Sequence, residues 1–274
     1  MLTTLLGEQF RSTTRWVASV VGVVMLIVVV SLVPGFLGLS MLGGLGAALA
    51  VVLLILLVPI VLTLLAGDYW QSMSGRRASF THTLPVRGRE LYAAKVLHAL
   101  IVAAVTGAVA LGGLGLTLVA HARMDGVGVG EEWRSTLSSF DALPGALAGV
   151  VVAVLVLEFV VVIIQVPAVL SIASESRFQG LGWGAPLIGL ILLYLADQLV
   201  NLIGMLFLPV GIVLTGRDAG SFVARGMLGE MVSALRTGAQ PSVIGLGSFA
   251  TNLVLTAVLV WWGVRSIERH TSVR

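Results

Sequence analysis

Glu158 and Gln165 lie seven residues apart in one apolar run, and Tyr194, Asp197, Gln198 and Asn201 follow at i, i+3, i+4 and i+7 in another. On helices each set falls on one face. Carboxylates, amides and a phenol in such surroundings can relay protons, hold a cation or bind the polar part of a solute. An ionisable group at the centre of a bilayer costs at least about 2.5–3.5 kcal/mol on insertion scales, so these side chains are expected to face protein or water. Two readings stay open. One is a pathway or substrate-contact face between helices; the other is an interhelical hydrogen-bond network that needs no transported ligand.

A second concentration of chemistry is THTLPVRGRELYAAKVL, Thr81 to Leu97, which sits between two of the most apolar stretches. Residues 72–81 can form a short helix carrying Arg76 and Arg77, with His82 just beyond. That helix should break before Pro85, because the residue preceding a proline is pushed out of the helical region. Pro85 or Val86 suits the first turn of the next helix, where Glu90 complements the helix dipole. Anchoring on a membrane surface needs only scattered arginines. The order of helix, Leu84-Pro85 break, charged turn with Arg87 and Arg89, then Lys95 one turn into the helix, goes beyond that need.

Other chemistries lack their residues. The single lysine, Lys95, is flanked by Ala94 and Val96, so no GxxxxGK[ST] phosphate loop exists. The histidines His82, His98, His121 and His270 are dispersed and form no HExxH helix, so no metal site is expected. The absence of cysteine removes disulfides and thiolate ligands. Glu131-Glu132 reads as a solvated acidic loop rather than a protease pair. No catalytic residue and no cofactor bound by this chain are expected. A net charge of +3, with its basic residues beside apolar runs, favours membrane lipid over nucleic acid as a partner.

The elements that must hold these residues are membrane spans. The chain is 58% hydrophobic and 11% charged, where soluble domains carry about a quarter charged residues. Its apolar runs exceed the roughly 18 residues of a bilayer crossing. The expected fold is an all-α polytopic membrane protein of six transmembrane helices: 17–33, 41–66, 91–120, 143–170, from 181 to about 204, and 243–264. Residues 1–15 place Leu2, Leu5, Leu6 and Phe10 opposite Glu8, Arg11 and Arg15, which predicts an interfacial helix and no removable leader. A polar loop is expected over 121–141. Residues 205–242 read as an external or re-entrant segment, with a short helix carrying Phe222, Met227, Met231 and Leu235. No repeat divides the chain, so 1–274 reads as a single permease domain. Of the 16 basic residues, eleven fall on the side holding both termini, residues 67–95 and 171–180, which predicts that side to be cytoplasmic.

The segment 84–95 resembles the permease subunit of an ABC-2 type transporter, the type V exporter fold. The pattern L-P-V-S-R-x-E-[IL]-x-x-[GA]-K that ends that family's coupling loop is matched at Leu84, Pro85, Val86, Glu90, Leu91, Ala94 and Lys95. Arg87-Gly88 stands where Ser-Arg is usual, and Arg89 falls on a position that is often basic. The resemblance extends to the whole arrangement of spans and loops. It implies that residues 67–90 form a cytoplasmic coupling loop, with its coupling helix, docking on a separate ABC ATPase subunit through Arg76, Arg77, His82, Leu84, Pro85, Arg87, Arg89 and Glu90. ATP and Mg would be bound by that partner. A second permease copy or a homologue would complete an exporter in the cell membrane. The alternative is a secondary carrier in which Glu158 and Asp197 relay protons.

Overall fold

The structure, a computed structural model, describes residues 2–73, 87–138, 145–214, 220–238 and 242–269. In chain order the elements are α1 (Leu2–Phe36), α2 (Ser40–Met73), α3 (Gly88–Asp125), α4 (Val129–Ser138), α5 (Gly145–Ala173), a 3-10 turn (Ser176–Leu181), α6 (Gly184–Phe207), β1 (Gly211–Val213), β2 (Phe222–Val223), α7 (Met227–Thr237), β3 (Val243–Gly245) and α8 (Gly247–Arg269). Six of them, α1, α2, α3, α5, α6 and α8, are long and apolar enough to cross a membrane. Even the 23-residue α8 is about 34 Å long, against roughly 30 Å of hydrocarbon. The chain is a multi-pass membrane protein.

Several boundaries differ from expectation, each for a local reason. Residues 2–15, expected as an interfacial helix, are continuous with the first span, because α1 runs through them without a break. No Gly or Pro lies between Gly7 and Gly22. The hydroxyls of Ser12, Thr13, Thr14 and Ser19 donate to carbonyls one turn back, so the polar stretch satisfies itself within the helix. The first turn of α3 starts at Gly88 and holds Glu90 as expected; Pro85 and Val86, expected in that turn, lie outside the described residues. The 121–141 loop contains the end of α3 and the short helix α4, in which Val129, Trp133 and Leu137 recur at i, i+4 and i+8. Arg76, Arg77, His82, Leu84 and Pro85, with most of the expected coupling helix, lie outside the described residues.

The largest correction falls between the last two spans. Helix α6 continues to Phe207; Leu208 is extended (φ −79°, ψ 126°), as a residue preceding a proline must be. Beyond Pro209 the chain forms a strand instead of a re-entrant helix. Strand β1 is central in an antiparallel sheet of order β2-β1-β3, pairing Ile212 with Phe222 and with Ile244. β-Branched residues at 212, 213, 243 and 244 suit that pleated surface. Val243 therefore belongs to β3, and the last span starts at Gly247. A short helix is present in this stretch as α7, but Phe222 and Val223 lie in β2 before it.

The described residues pack as two units, Met1–Tyr69 with Glu90–Phe140, and Trp70–Arg89 with Asp141–Arg274. In the first, Val24, Val28 and Leu32 of α1 meet Ala50, Leu54, Leu57, Val61 and Leu65 of α2, with Val102, Ala110 and Ala120 of α3. Gly46 lies against the Ser31 carbonyl and Gly43 against Gly35, so α1 and α2 form an antiparallel hairpin closed by small residues. In the second unit α8 runs alongside α5 in the same direction, with Gly263 against Ala168 and Ser266 Oγ donating to the Ser171 carbonyl at 2.9 Å. It runs antiparallel to α6, where Thr251 Oγ1 donates to the Val200 carbonyl at 3.1 Å beside Gly204.

Candidate functional site

Three apolar helices, α5, α6 and α8, enclose a polar centre. Glu158 lies about halfway along α5 and Gln165 two turns further. Gln165 is fully buried, and its Nε2 lies 2.8 Å from Asn252 Oδ1, 3.0 Å from Thr256 Oγ1 and 3.2 Å from Asp197 Oδ1. Asn252 Nδ2 in turn donates to Glu158 Oε2 at 2.9 Å. The two carboxylates are thus joined through Asn252 and Gln165. Thr256 donates its own proton to the Asn252 carbonyl at 2.7 Å, so toward Gln165 it acts as an acceptor.

The donors do not suffice. Gln165 Nε2 has two hydrogens and three acceptors. Its Oε1 is buried without a hydrogen-bond partner, as is Asn201 Oδ1 on α6. Among the described residues no basic side chain pairs with Glu158 or Asp197. The centre is rich in oxygen acceptors and poor in donors, in a setting where unsatisfied polar groups are expensive.

The residues read from sequence divide accordingly. Glu158, Gln165 and Asp197 come together, and Asn201 turns an oxygen inward. Tyr194 and Gln198 face outward, Tyr194 with 63% of its surface exposed. Asn252 and Thr256, which complete the centre, escaped the sequence reading. Their signal is present as Ser248, Asn252 and Thr256 at i, i+4 and i+8 on α8.

Around the Thr81–Leu97 segment, Arg87 and Arg89 are exposed and Glu90 is partly buried. Gly88 packs against the last turn of α8: a Cβ there would lie 2.7 Å from Glu268 Cγ and 3.0 Å from Ile267 Cγ2. Lys95 is buried at 5% exposure, with its Nζ 5.2 Å from the centre of the Tyr69 ring. One turn on, His98 Nε2 is 2.9 Å from Thr13 Oγ1, and its ring meets Phe10 edge to face. These two residues thus pack within the first unit rather than offering a surface to a partner. Near the other end of α5, Glu175 is buried, paired with Arg177 at 2.6 Å, and accepts from Trp262 Nε1 at 3.2 Å.

No protein-family model, curated protein or solved structure matches the chain.

Proposed function

We propose that the chain is the transmembrane permease subunit of an ATP-driven ABC-2 type exporter in the cell membrane, with both termini cytoplasmic. It forms the substrate path and couples through residues 67–90 to a separate ABC ATPase subunit, which binds ATP and Mg. A second copy or a homologue completes the transporter. The reading rests on the resemblance of residues 84–95 to the coupling motif. The observation that carries it further is the contact of Gly88 with Ile267 and Glu268. A push on the cytoplasmic segment from an ATPase would enter α3 through the chain and α8 through that contact. Helix α8 carries Asn252 and Thr256, two members of the polar centre. The drive therefore has a mechanical route to the proposed path.

A search for an ABC ATPase encoded beside this chain, co-purification with it, then comparison of hydrolysis with an Arg87→Ala/Arg89→Ala variant, test the docking role. Loss of permease-dependent hydrolysis is the expected result. Unchanged coupling in a folded variant counts against it. The joined carboxylates also support a second reading, a proton-coupled carrier using Glu158 and Asp197. That reading requires transport without an ATPase partner, abolished by a proton uncoupler.

A further inference from the structure

We propose that the centre between α5, α6 and α8 binds a protonated amine carried by the transported substrate. Its ammonium hydrogens are received by Glu158, Asp197 and the Gln165 carbonyl oxygen. This rests on the transport reading only in assigning the amine to a substrate. The binding chemistry is argued from the side chains of the centre, independently of ATP coupling.

Two observations meet here. The first is two carboxylates joined through Gln165 and Asn252, with no basic partner among the described residues. The second is Gln165 itself, fully buried within that constellation, with Oε1 accepting from no group. A carbonyl oxygen in that state lacks a donor, and the two acidic side chains have no basic partner among the described residues. One group supplies both. An ammonium carries a full charge and up to three N–H donors. The donor set fits it better than a divalent metal, which takes six or more oxygens or a cluster of carboxylates; no group of three or more His, Asp or Glu placed to hold a metal ion exists among the described residues. A neutral solute with donors would satisfy Gln165 and leave the charge unanswered. A quaternary ammonium would answer the charge and leave Gln165 Oε1 without a hydrogen.

The test uses the purified full chain in lipid nanodiscs, without any ATPase. Three dansyl probes of matched size are compared by fluorescence: a primary alkylammonium (dansylcadaverine), its N-acetyl derivative and its trimethylammonium derivative. The ammonium should bind saturably and displaceably, with both derivatives at least about tenfold weaker, as expected for losing a charge or a charged hydrogen bond. Glu158→Gln and Asp197→Asn, each confirmed folded by thermal unfolding, should each weaken the ammonium about tenfold. Equal binding of the N-acetyl probe overturns the proposal, as does ammonium binding unaltered in both folded variants. Proton uptake without binding of any amine also overturns it. If the variants do not fold, the comparison of probes on the native chain decides alone. Amine binding without ATP-driven transport leaves this site standing and removes the exporter reading; coupled ATP hydrolysis without amine binding does the reverse.

Discussion

Asn252 is the residue on which the polar centre turns, since it receives from Gln165 and gives to Glu158. Hydrogen bonds between membrane helices average about 0.6 kcal/mol and reach roughly 1.7 kcal/mol. A double-mutant cycle of Glu158→Gln and Asn252→Ala, read by reversible unfolding in mixed micelles, should therefore give a coupling of about 0.6–1.7 kcal/mol. Strict additivity would mean that the contact contributes nothing. The acids were legible in sequence because a carboxylate stands out in an apolar run. Asn252 and Thr256 were not singled out, because an amide and a hydroxyl stand out far less and Thr is common in apolar helices. Nor does spacing on a helix say which edge of a stripe turns inward. Tyr194 and Asp197 are neighbours at i and i+3, yet only Asp197 enters the centre.

Between elements, close approach depends on missing side chains. A Cβ on Gly263 would lie 2.9 Å from the Ala168 carbonyl oxygen and 3.0 Å from its Cα, both backbone atoms that cannot swing aside. Gly263→Val should destabilise the α5–α8 pair by about 1–3 kcal/mol, measured as a lower unfolding midpoint in detergent. Gly149→Ala, which meets nothing within 4 Å, should leave that midpoint unchanged or slightly higher. Equal effects of the two would show that packing at Gly263 is not the cause. All six long helices were legible from apolar run length. The three-stranded sheet was not, because strands of two or three residues are too short to display a period. Pro209 marked where α6 must stop; which structure followed depended on pairing between residues ten and more positions apart. Helix α4 was read as loop because its apolar stripe is three residues long and set among acids.

Across the whole molecule, if all six long helices cross the membrane, their alternation in the chain predicts α4 and the turn between α5 and α6 on opposite sides of it. The arginine distribution predicts the latter side to be cytoplasmic. The chain has no cysteine, so single-cysteine variants can be labelled against a clean background. Arg134→Cys on α4 should react with an impermeant maleimide in intact cells, and Ser176→Cys only after permeabilisation; both residues are exposed. The reverse pattern would invert the orientation and remove residues 67–90 from the reach of a cytoplasmic ATPase. Burial of Lys95 has a different kind of consequence. It is the only side-chain amine in the protein, and it lies covered within the first unit. Acylating reagents and lysine-directed proteases therefore have no side-chain target while that unit stays closed. Their rate of reaction at this one position becomes a clock for how often α2 and α3 part.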